Sequence, residues 1–331
     1  MKCYFACNSG VSDSKVYRDL LEVTLKTARK NTTLDLYCLY DGTPDDPACT
    51  IMRKYGVHVV FHRITFEKEL LELYTPEYMQ QRLGRVEEME GVIGTFTRMD
   101  VPLLEADEEF VLFCDVDVMF LQDIRQEELP RPKYCAAAPE IRQDWDVSLR
   151  GHKYFNAGVM YLNVSGMRKK RDAFLSMLRQ KQSSKIECFD QGYLNHLCEQ
   201  DFDELGLEYN WKPYWGINGN AKIVHMHAAK PNGPYRACEF YDFVLGTFGD
   251  CIAGSAYYYL TFFEVLETSA PPWLREHIKF LVHEKAKVQK RFAAETIPVE
   301  ERRRRRRRFL VCALVSLVSS AVGALAMRLL S

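Results

Sequence analysis

One stretch constrains this chain more than any other: Phe110-Val111-Leu112-Phe113-Cys114-Asp115-Val116-Asp117-Val118-Met119-Phe120. An unbroken apolar run rich in β-branched and aromatic residues is the pattern of a strand buried on both faces. The two carboxylates are anomalous in it, because burying one unpaired carboxylate is costly and burying two like charges costs more. Asp115 and Asp117 therefore belong where the strand emerges, and they need cations. A divalent metal bridging them to an anionic ligand meets that need, since Mg2+ and Mn2+ take oxygen ligands and bind beside phosphates. Taken alone, a D-x-D also fits an ordinary turn with both aspartates solvated.

The elements around this strand alternate. Cys3–Cys7 predicts a first strand, ending in the turn signal Asn8-Ser9-Gly10. Ser14 opens a helix carrying Val16, Leu20, Val23 and Thr27. Leu34–Tyr40 and Val57–Phe61 are further strands, separated by a short helix that ends at Tyr55. Such β-α-β-α-β order predicts an α/β fold, a Rossmann-like, mostly parallel sheet with helices on both faces. Ligands of such sheets bind at the carboxyl ends of the strands, so Asn8, Asp41 and Asp115 are expected to face one crevice. Glu67–Gly91 reads as a polar helical cover, and Thr95–Leu104 as one helix containing Arg98. Tyr134–Glu140 and Tyr154–Asn163 read as strands, Phe189–Asn195 as a helix start, and Lys222–His227 as a short strand ending in histidines. The small residues Ala157 and Gly158 beside Asn156 allow close approach of a ligand to the backbone.

In this order the motifs resemble the retaining GT-A glycosyltransferases of family eight, the group of glycogenin and the bacterial lipooligosaccharide galactosyltransferases. The likeness spans roughly residues 3–232. It is carried by the D-x-D of Asp115 and Asp117, Arg98 on the preceding helix, the Y-F-N-A-G-V block Tyr154–Val159, the D-Q-x-x-L-N block Asp190–Asn195, and a late His with Lys230-Pro231. The resemblance implies a GT-A fold and a metal-dependent retaining transfer of a hexose or related sugar from a UDP-sugar to a glycan, lipid or protein acceptor. It implies a metal held by Asp115, Asp117 and His225, with His227 as the alternative, because the family's H-x-x-G-x-x-K-P is one residue shorter here and lacks its Gly. Imidazole ligation favours Mn2+ over Mg2+. By the same analogy Asn8 contacts the uridine, and Glu140, Asn156 with Ala157, and Asp190 the donor sugar. Lys230 and Arg98 answer the phosphates. Gln191 lies by the anomeric carbon, and Gln191 and Asp190 form the catalytic pair.

Other readings of the same residues are a helix N-cap for Asp190, core packing for the two histidines and a surface ion pair for Arg98. Two other functions compete. A haloacid-dehalogenase-type phosphatase also places D-x-D after a buried strand, but expects Gly and Thr soon after the second Asp, and Val118-Met119 stand here. A catalytically inactive, membrane-tethered sugar-nucleotide-binding protein is the second competitor.

Composition bears on compartment. The 331 residues are 47% hydrophobic, enough for one large core plus an appendage. The net charge of −1 conceals seven consecutive arginines, Arg302–Arg308. The remainder is acidic, which argues against nucleic acid as a partner. The eleven cysteines form no C-x-x-C pair and read as small buried hydrophobes in a reducing compartment. Phe309–Met327 is uncharged and about long enough to cross a ~30 Å hydrocarbon core. The preceding arginines place the body on the cytoplasmic side. The expected organisation is a glycosyltransferase domain over 1–234, a helical appendage over 235–300, a polybasic segment over 301–308 and a transmembrane helix over 309–327. That is a tail-anchored membrane protein with a single C-terminal span and a cytoplasmic catalytic domain. The aromatic stretch Ala256–Phe263 and the basic helix Pro271–Ala294 are read as appendage packing, or as a membrane-facing acceptor platform.

Overall fold

The computed structural model describes residues 1–83, 89–140, 154–180, 189–198, 201–227, 230–232, 251–270 and positions 274, 278, 279 and 282. The chain divides into two compact units, one of Met1–Trp211 with Asn220–His225, the other of Lys212–Gly219 with Met226–Ser331.

The first unit opens with β1 (Lys2–Asn8), α1 (Ser9–Asp13), α2 (Lys15–Asn31), β2 (Asp35–Asp41), α3 (Pro47–Lys54) and β3 (His58–Phe61). The Ser14 side chain caps α2 by accepting from Tyr17 N, as its sequence position predicts. Three short helices follow, α4 (Glu67–Leu73), α5 (Pro76–Leu83) and α6 (Met89–Thr95), where one polar cover was expected.

Thr95–Leu104 is not one helix. It is a 3-10 turn, Phe96–Asp100, running into a single α turn, α7 (Val101–Leu104). Pro102 explains the break, because proline lacks the N–H that would bond the carbonyl of Arg98 and its ring would clash there. Val101 N takes that carbonyl instead, with 3-10 spacing.

The remaining elements of this unit are β4 (Phe110–Cys114), β5 (Val118–Phe120), β6 (Cys135–Pro139), β7 (Phe155–Asn163), α8 (Val164–Arg179), α9 (Phe189–Cys198), β8 (Asp203–Glu204) and β9 (Ile223–His225). The main sheet runs β3-β2-β1-β4-β7-β6-β8. Pairings from β3 to β4 are parallel, those of β7 with β4 and β6 antiparallel, and that of β6 with β8 parallel. The sheet is thus mixed and mostly parallel, with two buried clusters. Strand β4 divides between them, Val111 and Phe113 in one and Phe110, Leu112 and Cys114 in the other. All five residues are buried, as the unbroken apolar run predicts.

Strand β7 breaks this alternation once. Phe155 and Ala157 belong to the same cluster as Met160 and Leu162, so the strand shifts phase in between. Its register against β6 slips at the same place, Ala137 opposing Met160 while Pro139 opposes Phe155. The Asn156-Ala157-Gly158 segment is therefore a bulge, a device that re-aims side chains beside functional sites.

In the second unit a 3-10 turn, Pro213–Trp215, packs against α10 (Cys251–Leu266). Gly254 of α10 has no room for a side chain, since a Cβ there would lie 2.2 Å from Pro213 O. The aromatic stretch lies within α10, with Tyr258, Tyr259, Phe262 and Phe263 buried and Tyr257 exposed. Tyr258 Oη accepts from Asn218 N at 3.0 Å. The aromatic residues of α10 thus pack within the second unit. Among the described residues no helix is long and apolar enough to cross a membrane. The expected span 309–327 and the arginines 302–308 lie outside the described residues, as does most of Pro271–Ala294. Seven cysteines among the described residues are buried free thiols, matching their reading as small hydrophobes.

Candidate active site

The site begins where β4 ends. Asp115 N donates to Gly158 O at 2.8 Å, which ties the first aspartate to the β7 bulge. The chain then turns into β5, held by Thr24 of α2. Its hydroxyl accepts from Val118 N at 3.2 Å and shares its proton between Val116 O and Val118 O. Strand β5 pairs antiparallel with β9, setting Val118 opposite His225. This pairing brings the histidine to the aspartates. His225 Nε2 lies 3.4 Å from Asp117 Oδ1 and 4.0 Å from Asp115 Oδ2. Asp117 and His225 are buried, and Asp115 is partly open to solvent.

One ligand atom from each of Asp115, Asp117 and His225 lies within 4.8 Å of the others. Two carboxylates confined beside an imidazole nitrogen favour a cation among the three. The donor set suits a divalent ion that tolerates mixed oxygen and nitrogen ligation. The expected strand Lys222–His227 ends at His225, so His227 lies beyond it. His227 belongs to the second unit, where its Nδ1 meets Tyr214 Oη at 2.8 Å. Lys230 is in that unit too and donates to Met226 O at 2.8 Å.

Behind the aspartates Arg98 is buried and its donors are committed. Nη2 donates to Asp115 Oδ1 at 2.6 Å, Nε lies 3.0 Å from Asp190 Oδ2 and donates to Thr95 O, and Nη1 donates to Ala157 O. The ion pairs are with buried and site carboxylates, not with a surface one. Burial works to lower the guanidinium's pKa, but the charges of Asp115 and Asp190 outweigh it and raise it, so Arg98 stays a cation. Burial pushes the Asp190 carboxyl up, against the pull of Arg98. Asp190 is not the cap of α9 but lies inside its first turn, directly after Phe189, whose φ of 48° is unusual for a side chain of that size.

The donor-sugar candidates meet each other. Asn156 Nδ2 donates to Glu140 Oε2 at 2.8 Å and to Gln191 Oε1 at 3.1 Å. Gln191 Nε2 donates to the same Glu140 oxygen at 2.8 Å, while Ala157 N donates to Gln191 Oε1 at 3.0 Å. Asn195 locks α9 onto β7 by accepting from Phe155 N and donating to Phe155 O, as a neighbouring strand would. Asn8 ends β1 in register with Asp41, and a Cβ on Gly94 would come within 2.7 Å of its Nδ2. Two residues escaped the reading of motifs. Asn210 bonds both Asn156 and His225 from a stretch with no pattern of its own, and Gly94 gives Asn8 its space. A lone polar residue between Tyr209 and Trp211, both apolar and buried, was the only signal for Asn210.

A mixed α/β sheet whose central strand delivers a D-x-D to a histidine defines a GT-A-type glycosyltransferase. The profile of glycosyl transferase family 8 matches residues 64–231, just over half of the chain, and the chain belongs to that family. The galactosyltransferase LgtC, crystallised with donor and acceptor sugar analogues, is similar at TM-score 0.56 and 18% identity, over 83% of this chain and 99% of that one. The glycosyltransferase GlyE of Streptococcus pneumoniae TIGR4, in its apo form, is similar at TM-score 0.53 and 18% identity, over 84% of this chain and 63% of that one. At this identity the likeness concerns the fold. No curated protein matches the sequence. Family membership makes the chain a glycosyltransferase and disfavours the phosphatase alternative.

Proposed function

We propose that the chain is a metal-dependent retaining glycosyltransferase that moves a hexose from a UDP-sugar to a membrane-proximal acceptor. The observation that carries this reading is the convergence of Asp115, Asp117 and His225 within 4.8 Å at the carboxyl end of the central strand. A divalent cation bound there, Mn2+ before Mg2+ because of the imidazole, would supply Lewis-acid charge to the departing diphosphate. The chain's own residues do the rest. Asn8 holds the uridine. Glu140, Asn156 with Ala157, and Asp190 orient the donor sugar, and Gln191, fixed at both ends of its amide, lies at the anomeric carbon. Arg98 acts from behind, aiming Asp115 and Asp190. Lys230 is a point charge for the β-phosphate, a role supported by its chemistry and its place in sequence after the histidines. No side chain is assigned as nucleophile. The acceptor hydroxyl attacks on the face that the diphosphate leaves, the new C–O bond forms as the sugar–phosphate bond breaks, and the hydroxyl proton passes to the released phosphate.

The test is a screen of UDP-sugars for Mn2+-dependent hydrolysis. One donor is expected to be cleaved by the wild type and spared in EDTA. Cleavage that persists in EDTA, or no cleavage of any UDP-sugar, would overturn the proposal and favour an inactive binding protein.

The proposal extends to the membrane. Residues 309–327 form an anchor, and Arg302–Arg308 bind anionic headgroups from the cytoplasmic side, at about 1 kcal/mol each. The uncharged composition of the one and the charge of the other support this. Protease protection on isolated membranes tests it. A catalytic domain that survives digestion until detergent is added would reverse the orientation. Unchanged membrane association without residues 302–331 would move the anchor elsewhere.

A further inference from the structure

The amide network around His225 can be assigned atom by atom, because it starts from a group that can only donate. Gly158 N–H donates at 3.1 Å to the Asn156 side-chain atom facing it, so that atom is the oxygen. Ala157 N–H fixes the Gln191 oxygen in the same way, and the remaining end of Asn156, its NH2, faces that oxygen and Glu140. Asn210 meets Asn156 Oδ1 at 2.8 Å, and since that oxygen only accepts, Asn210 presents its NH2 there. Its other atom, Oδ1, therefore faces His225 Nδ1 at 3.0 Å. His225 Nδ1 thus lies between two acceptors, Asn210 Oδ1 and Asn156 Oδ1 at 3.1 Å. A ring nitrogen so placed carries the proton. In the neutral ring Nε2 is then the basic nitrogen, and it is the one turned toward Asp115 and Asp117.

We propose that Asn210 is a positioning residue that fixes the tautomer and orientation of His225, so that its Nε2 is presented to the cation; this rests on the metal site proposed above. Asn210 and His225 are both buried, which leaves the ring little freedom to answer a lost partner by turning to water. Partners of this kind behind a ligating histidine raise its basicity and hold its plane. Asn156 faces Nδ1 as well, but it also answers Gly158, Glu140 and Gln191. Asn210 is the partner whose substitution leaves Glu140 and Gln191 with their own bonds.

The experiment uses the full chain labelled with 15N-histidine. In the metal-free wild type, read at a pH high enough for a neutral ring, His225 is expected as the Nδ1–H tautomer, its signal identified by its loss in H225Q. N210L removes the acceptor while keeping the same side-chain branching. It is expected to move His225 toward the Nε2–H tautomer and to weaken Mn2+ binding, read by paramagnetic resonance, roughly 10–100-fold. N210D keeps an oxygen facing Nδ1 but loses the N–H that Asn156 Oδ1 accepts, so it is read by the tautomer alone, which it is expected to hold as in the wild type. An Nε2–H tautomer in the wild type overturns the assignment, as does wild-type Mn2+ affinity in N210L. A shift to the Nε2–H tautomer in N210D as large as that in N210L would mean packing alone and overturns it too. If N210L does not fold, the wild-type tautomer and N210D decide. Because the tautomer is read without metal, failure of the metal site itself shows separately, as Mn2+ affinities that are the same in wild type, D115N and H225Q.

Discussion

Gly158 and His225 are packed so closely that a Cβ on the glycine would lie 2.2 Å from the imidazole Cε1 and 2.5 Å from Nδ1. The ring is buried and bonded through Nδ1 to two asparagines, so it cannot yield without leaving the aspartates. Glycine is thus required at position 158 by a neighbour's side chain rather than by its own backbone angles. G158A is expected to destabilise the first unit by about 1–3 kcal/mol through overpacking, and to lower Mn2+ affinity along with activity. A thermal melt and a metal titration on the same sample check this. A variant with wild-type metal affinity would show that the ring has another place to go.

The metal reading makes a sharper demand on the aspartates. D115N and D117N are each expected to abolish Mn2+-dependent turnover while the melting curve stays near that of the wild type. H225A is expected to cost more activity and more metal affinity than H227A, because His225 lies 3.4 Å from Asp117 whereas His227 bonds Tyr214. The reverse order in a metal titration would transfer the ligand role to His227.

What could be read in advance divides along physical lines. The run Phe110–Cys114 announces a strand buried on both sides, and two carboxylates at its end call for a cation unless they are solvated in a turn, an alternative that the later motifs disfavour. The histidine follows from the D-x-D together with the order of motifs. The β7 bulge is invisible in sequence: Asn156-Ala157-Gly158 sits inside an apolar run, and only the shifted pairing with β6 betrays it. The 3-10 turn holding Arg98 was legible in principle from Pro102, four residues on, but the 3.6-residue period of the surrounding apolar residues hides it. Asn210 was out of reach, since its role depends on two partners 54 and 15 residues away.

Arg98 is expected to matter for stability as well as activity. R98A leaves the buried carboxylate of Asp190 without its cation, and breaking a buried pair from one side costs about 3–5 kcal/mol. R98K keeps the charge but loses the fork that reaches Asp115, Asp190 and the Ala157 carbonyl together. Its melting temperature should fall less than that of R98A. Its turnover should drop roughly 100-fold, as misplacement of a catalytic group by about 1 Å can do. Wild-type turnover in R98K would reduce Arg98 to a counter-charge.

The last prediction concerns acid stability and a carboxylate away from the site. Glu105 has a fully buried side chain. It accepts from Tyr4 Oη at 2.6 Å, from Lys2 Nζ at 3.0 Å and from the backbone N–H groups of Asp107 and Glu108. Burial by itself would raise its pKa, but the Tyr4 hydroxyl, the two backbone donors and Lys2 together outweigh it and bring the carboxyl from 4.5 down to about 2. A group depressed in the folded state stabilises above its unfolded value, and the effect is lost as pH falls through the folded one. Glu105 therefore contributes fully above about pH 4.5 and progressively less toward pH 2. A displacement of that size is worth about 3 kcal/mol if complete. Lys2 is 15% exposed and brings solvent to the rim of the pocket, so about 2 kcal/mol is the better expectation. E105Q, which cannot ionise, should lose this amount in urea unfolding at pH 7, and the gap to wild type should close as pH is lowered from 4.5 to 2. A gap that stays constant over that range would mean that Glu105 acts through packing and neutral hydrogen bonds, not through its charge.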